Sequence, residues 1–284
     1  TDPMAAHFVV VPQWQGSGAE RAMRLVDGAE AIRGDLPASA TTLIEVPLEA
    51  GDAEQTGIHR WSSLRIVRER QTAALAAIDG TAITIGGDCG VELAAVEHVA
   101  RAGRTVLVWA DAHADLNTPT SSPSGAFHGM VLRSIIDHGL VAPADVLLVG
   151  ARDLDPAEEH AAESLGIAHI AIGDVGAAVA ERAAEGATEL YIHVDLDVID
   201  PAEFGGVGFP TPFGTTVSEL VAAIGAARTA LPLSGAGVTE FAPASAEDAG
   251  DDLPSILRVI SALTRPAPAA DAAPAPRTDA PPAA

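Results

Sequence analysis

The sequence predicts an α/β fold: a parallel sheet of about eight strands with helices packed around it. Three observations carry that expectation. Short runs rich in Val, Ile, Leu and Ala alternate along the chain with longer segments whose apolar residues recur at helical spacing. The runs at 105–109 and 190–194 are apolar almost throughout, as in strands covered on both faces. Three of the runs end in acidic, His or Cys residues, and open α/β sheets build their sites at the carboxyl ends of strands.

In chain order, residues 7–11 read as the first strand and 19–34 as a helix. A second strand at 41–46 leads through a polar, Gly-containing loop at 49–57 to an Ala-rich helix at 64–78. The third strand, 82–85, is followed by a helix at 91–102 and the fourth strand, 105–109. The loop 116–129 is rich in Ser, Thr, Pro and Gly, and loops of that length usually serve function. A helix at 130–138, a strand at 146–150, a helix at 157–165, a strand at 167–172 and a helix at 175–184 continue the alternation. The strand 190–194 precedes a Gly/Pro-rich loop at 204–215, a helix at 217–230, a last strand at 235–240 and a last helix at 249–263. Residues 4–265 read as one domain. Residues 1–3, ahead of Met4, read as an appended remnant, and 266–284 as an Ala/Pro-rich tail too poor in large apolar residues to bury a core.

Composition narrows the function. At 284 residues and 48% hydrophobic, the chain has room for a large α/β domain with a substantial core. No apolar stretch approaches the roughly 20 residues that a membrane helix needs, and the start carries no signal-peptide pattern. A net charge of −23 argues against nucleic acid, whose binding depends on cationic side chains. Every cationic side chain apart from His is Arg, so a lysine Schiff base and a P-loop lysine are excluded. With one cysteine no intramolecular disulfide forms, and a reducing cytoplasmic setting is expected.

The chemistry concentrates at residues 109–115, W-A-D-A-H-A-D. Asp111, His113 and Asp115 follow a buried strand at i, i+2 and i+4, and an extended backbone would turn all three to one side. Two carboxylates and an imidazole brought together need a counter-charge, and a divalent metal supplies it. Asp195, Asp197 and Asp200 close the run 190–194 in H-V-D-L-D-V-I-D-P, and G-G-D-C-G at 86–90 closes the run 82–85. His193 falls on the same side as Asp195 and Asp197 by alternation, with either a supporting or a purely structural role open to it. The remaining histidines read as surface or supporting groups rather than ligands.

G-G-D-C-G, D-A-H-A-D and D-L-D-V-I-D-P, in that order and spacing, resemble the ureohydrolase superfamily of arginases and agmatinases, over roughly residues 9–260. The resemblance implies a three-layer α/β fold with a central eight-stranded parallel sheet and two Mn²⁺ ions per chain. It implies Asp111 and Asp195 as bridging carboxylates, Asp115 and Cys89 completing one metal, and His113 and Asp197 the other. A bridging water, acidified by the two cations, would attack the guanidinium carbon, and Asp115 would shuttle a proton to the leaving amine. Asp200 is expected instead to accept backbone hydrogen bonds at its turn. D-L-N-T-P at 115–119 resembles the arginase branch: there Asn117 and Ser124 would hold the substrate's α-carboxylate, and Asp155, with Glu158 nearby, its α-amino group. His128 matches a proton-transfer histidine, and Glu240 a carboxylate near the guanidinium. The implied partner is a small guanidino amino acid.

Three positions depart from the pattern. Cys89 stands where the family has His; a thiolate there would add negative charge, weaken the Lewis acid and favour softer metals, whereas a buried thiol would be only a small hydrophobe. A weaker site suits a more reactive substrate, and cysteine here resembles the N-omega-hydroxy-L-arginine amidinohydrolase branch of D-cycloserine biosynthesis, an antibiotic pathway. Ala126 replaces a common Asn, and the loop 209–214 lacks a double glycine. The leading expectation is hydrolysis of N-omega-hydroxy-L-arginine to L-ornithine and hydroxyurea. The alternatives are an L-arginase giving urea, and a non-catalytic relative that binds metal or amino acid without turnover. Arginases assemble as trimers or hexamers, but the Ala/Pro tail does not match an assembling C-terminus, so homo-oligomerisation stays open.

Overall fold

The computed structural model describes residues 6–266. The remnant expected at 1–3 and, from 267 on, the tail expected at 266–284 lie outside the described residues. Eight strands form one parallel sheet: β1 (His7–Val11), β2 (Thr41–Leu43), β3 (Ala82–Gly86), β4 (Thr105–Ala110), β5 (Val146–Val149), β6 (Ala168–Ile170), β7 (Glu189–Asp195) and β8 (Leu233–Thr239). Their order is β2-β1-β3-β8-β7-β4-β5-β6. The helices are α1 (Arg24–Gly34), α2 (Trp61–Leu75), α3 (Glu92–Ala100), α4 (Val131–Asp137), α5 (Pro156–Leu165), α6 (Val175–Ala184), α7 (Val217–Ala230) and α8 (Ala246–Thr264).

Strand alternation splits the core into two layers. Phe8, Val10, Val108, Ile192 and Val238 pack with α1, α6, α7 and α8 on one face. Val9, Leu107, Trp109 and Tyr191 pack with α2, α3, α4 and α5 on the other. The three-layer expectation and the strand count both hold.

The starts of α5 and α7 follow capping signals in the sequence. Asp155 caps α5 by accepting from the amides of Ala157 and Glu158, Glu158 reaches back to the Asp155 amide, and Pro156 occupies the first helical position. Thr216 and Glu219 form the same box on α7. Several expected elements contract, the strand 167–172 among them, to Ala168–Ile170. The strand 41–46 stops at Leu43, on the sheet edge, and the helix expected from 19 starts only at Arg24 after a run of turns.

One row across the sheet positions the site. Thr84 on β3 pairs with Gly237 on β8, Gly237 with His193 on β7, and His193 with Trp109 on β4. Gly237 lacks a side chain because its place is taken: a Cβ there would stand 1.9 Å from Glu92 Oε1, at the start of α3. Nearer the strand ends, Gly87 passes so close to Gln13 that a Cβ would stand 1.7 Å from its carbonyl oxygen.

Candidate active site

The carboxyl ends of β3, β8, β7 and β4 are neighbours, and the loops leaving them bring the acidic motifs together. Cys89 begins a 3₁₀ turn after β3, with its sulfur 3.1 Å from Asp195 Oδ2 and 3.2 Å from Thr239 Oγ1. Its amide donates to Glu240 Oε1 at 3.1 Å, and Glu240 is fixed by donating its own amide to the Gly87 carbonyl.

Asp111, His113 and Asp115 converge, but not by strand alternation. β4 ends at Ala110, and the chain then bends. The bend is held by side chains of the site itself: the His113 amide donates to Asp111 Oδ1 at 2.6 Å and the Ala112 amide to Asp197 Oδ1 at 3.0 Å. Asp115 has φ +51° and Glu240 φ +66°, left-handed conformations that are rare outside glycine and cluster at functional sites. His113 Nδ1 lies 3.0 Å from Asp197 Oδ2 and 3.4 Å from Asp111 Oδ1. The Asp197 amide donates to Asp195 Oδ1 at 2.8 Å, and the Trp109 indole to Asp111 Oδ2 at 3.1 Å.

These acids are almost wholly buried, and no arginine lines the cavity above them among the described residues. Burial, then the Asp111 charge, raises the Asp115 carboxyl well above its ordinary range and Asp197 to about 6. Burial, then the Asp197 charge, does the same for Asp195. Burial alone would lower His113, but hydrogen bonds to Asp111 and Asp197 outweigh it and push its pKa up. Burial, then Asp195, raises the Cys89 thiol. Asp115 Oδ2 is buried with no hydrogen-bond partner. Such a set needs a cation, and its atoms are spaced to share one. Asp111, His113 and Asp197 offer ligand atoms within 4.8 Å of one another, as do Cys89, Asp195 and Glu240, and Cys89, Asp111 and His193. Oxygen, nitrogen and sulfur donors of this kind fit divalent transition metals.

The cavity over the donors measures about 210 Å³ and is walled by Asn117, Ser124, His128, Asp155, Glu158 and Phe209. A larger hollow of about 670 Å³ beside α5 carries no converging donor set. Asn117 donates to Asp155 Oδ2 at 2.8 Å and accepts from Ser121, so the two groups expected at opposite ends of a substrate's amino-acid head are bonded to each other. Glu158 Oε1 accepts from the Leu116 amide, and burial raises its pKa. Ser124 faces the cavity while accepting from the Ala126 amide. His128 Nδ1 lies 3.4 Å from Glu240 Oε1, and Phe209 tilts over the His128 ring at 5.4 Å. Asp200 accepts from Ala202 and Gly214 amides, outside the site as expected.

Sequence reading gave no role to Glu92 and left that of His193 open; both are fully buried beside the donors. The one available signal for Glu92 was a lone acid in an otherwise apolar helix face. Asp88, also inside, accepts from Gln13 and from the Gly16 and Gly90 amides and so ties the first loop to the third; burial, then Glu240, lifts its pKa to about 7.

Buried oxygen, nitrogen and sulfur donors at the carboxyl ends of central parallel strands, under a cavity sized for a small molecule, make a candidate metal centre open to a substrate, and comparison with known proteins makes its owner a hydrolase. The chain belongs to the arginase family, whose model matches residues 21–260, and it acts on guanidino or amidino groups. The arginase of Entamoeba histolytica is 25% identical over 287 residues, spanning 90% of this chain and 96% of that protein. A crystal structure of Entamoeba histolytica arginase in complex with L-ornithine shares the fold with a TM-score of 0.78 at 23% identity, covering 92% of this chain and 98% of that one. Proclavaminate amidino hydrolase from Streptomyces clavuligerus shares it with a TM-score of 0.69 at 22% identity, covering 93% and 94%. Among the described residues no helix is long and apolar enough to cross a membrane.

Proposed function

We propose that this chain hydrolyses N-omega-hydroxy-L-arginine to L-ornithine and hydroxyurea with two manganese ions. The observation that carries the reading is the Cys89 sulfur, 3.1 Å from Asp195 inside the donor set. Cys89, Asp111, Asp115 and Asp195 would hold one ion, and Asp111, His113, Asp195 and Asp197 the other. When bound, the ions supply an acidified water and a counter-charge for the buried acids. The remaining work belongs to side chains. Asp155 and Glu158 suit the α-amino group, and Asn117 and Ser124 the α-carboxylate. Glu240 holds the guanidino group. Asp115, whose Oδ2 has no partner and whose pKa is raised, carries the proton for the leaving amine. His128, against Glu240, exchanges protons with solvent. Water adds its oxygen to the guanidino carbon, the bond from that carbon to the δ-nitrogen breaks, and the nitrogen leaves protonated as ornithine.

A thiolate adds negative charge to its ion and leaves a poorer water activator, which favours a guanidine already weakened by an N-hydroxyl group. His128 favours the second reading, plain L-arginase giving urea. Steady-state hydrolysis of both substrates by the manganese-loaded protein, with ornithine as the readout, separates them. Turnover of the hydroxylated substrate alone supports the first reading, and comparable turnover of arginine sinks it. Cys89→His is expected to shift the ratio toward arginine; an unchanged ratio would show that Cys89 does not set specificity. Asp195→Ala is expected to abolish turnover and lower metal content.

A further inference from the structure

His193 sits in the middle of the sheet, fully buried, with each ring nitrogen facing chemistry. On one side, Nε2 lies 3.8 Å from Cys89 Sγ and 3.8 Å from Asp111 Oδ2. On the other, Nδ1 lies 3.6 Å from Glu92 Oε2. Neither Glu92 oxygen has a hydrogen-bond partner, and neither has His193 Nδ1. A carboxylate wholly inside a core, with only the Tyr191 hydroxyl and His193 Nδ1 beside it as donors, is expensive unless one of them bonds to it.

An acid in the first turn of a helix is ordinarily there for the helix dipole. That does not explain this one, because the fold makes room for it. Gly237 leaves open the space that the carboxylate fills, one strand away from His193. Trp109 completes the seat: its ring stacks on the imidazole at 3.7 Å and 26°, while its indole N–H donates to Asp111. The imidazole is thus fixed in plane and backed by an acid, with its far nitrogen aimed between a sulfur and a carboxylate oxygen.

We propose that His193 is a metal ligand through Nε2, sharing an ion with Cys89 and Asp111, and that Glu92 is the positioning residue that accepts from its Nδ1–H. This rests on the metal-hydrolase reading above and adds a donor to it. Spacing supports the assignment. Nitrogen or oxygen at about 2.0–2.1 Å and thiolate at about 2.3 Å from an ion with five donors stand roughly 2.9–3.1 Å apart at right angles and roughly 3.6–3.8 Å apart at 120°. The two 3.8 Å separations are within a few tenths of the wider spacing. A carboxylate behind a ligating histidine fixes its tautomer and orientation, which gives the unpartnered Glu92 its function.

The test loads the full chain with Co²⁺, counts bound ions, and records paramagnetic proton spectra in H₂O and D₂O. Two shifted exchangeable imidazole N–H resonances are expected. That of His113, whose side chain is 25% exposed, should disappear quickly in D₂O, and that of buried His193 should persist. His193→Gln should remove only the slow resonance. Glu92→Gln should lower the affinity for one of the two ions by about 10–100-fold. Two bound ions with a single, fast-exchanging imidazole resonance in the wild type would overturn the ligand assignment and leave the metal-hydrolase reading standing. Failure to bind Co²⁺ or Mn²⁺ at all would overturn both. Since the wild-type spectrum decides, a misfolded variant does not obscure the answer.

Discussion

Arg152, just past the end of β5, offers a sharp test of how the site is braced. Its guanidinium donates to five backbone carbonyls: Nε to Pro212 at 3.0 Å, Nη1 to Gly150 at 3.0 Å and Val198 at 3.3 Å, and Nη2 to Asp197 at 2.8 Å and Thr211 at 2.7 Å. One side chain therefore ties the exit of β5 to the segment carrying Asp197 and to the loop at the cavity mouth. A net contribution of roughly 1.5–3 kcal/mol per charged hydrogen bond would sum far too high, because Arg152 is half-buried and the freed carbonyls on its open side regain water. Counting the inner bonds alone, Arg152→Gln is expected to destabilise by about 2–4 kcal/mol. For a domain of this size that lowers Tm by roughly 5–15 °C. Arg152→Lys should recover little, since a point charge cannot reach carbonyls on three segments at once. Thermal unfolding of the metal-free variants measures this directly. A Tm for Arg152→Gln within about 2 °C of wild type would refute the bracing role.

Two further outcomes are expected. Asp155→Asn should keep the α5 cap, since Asn caps as well as Asp, so Tm should hold while KM for an amino-acid substrate rises about 10–100-fold through loss of a charged hydrogen bond; a fallen Tm with unchanged KM would make Asp155 only a cap. Acidity should also matter in a defined direction. Asp197 is raised to about 6 by burial and then Asp111, with Asp115 and Asp195 raised too, so the folded metal-free protein binds more protons than the unfolded chain above pH about 4. Its stability falls as pH rises through that window, and a bound ion removes the loss. The Tm gained on adding Mn²⁺ should therefore widen from about pH 5 to pH 7; a flat or narrowing gain would contradict the coupling.

Much of this was legible in the sequence because the signals are local. The apolar runs of β4 and β7 are buried from end to end, and the donor types at their ends survive any uncertainty in boundaries. The route to convergence was not legible. Alternation past Ala110 would have aligned Asp111, His113 and Asp115, yet the backbone bends and uses Asp197, 85 residues away, to hold the bend. The last strand, expected at 235–240, begins two residues earlier and ends one sooner, because Ser234 and Gly235 carry little strand propensity, while its glycines answer to Glu92 on α3 and Tyr191 on β7. Arg152 and Glu92 look in sequence like an ordinary loop cation and an ordinary helix acid. Their roles depend on carbonyls and an imidazole brought from distant segments, which no local pattern encodes.

The strand order has a consequence for assembly. As the chain emerges, β1, β2 and β3 can form one patch, and β4, β5 and β6 another, but the two share no edge. β7 and β8 arrive last and wedge between them, bringing Asp195, Asp197 and Glu240. Cys89 waits 151 positions for Glu240. Contacts of such separation slow folding, and until the wedge closes each patch exposes an unpaired central edge, the kind of surface on which chains aggregate. The ion-binding centre is thus the last part of the sheet to exist, and metal capture reports that the whole sheet has closed.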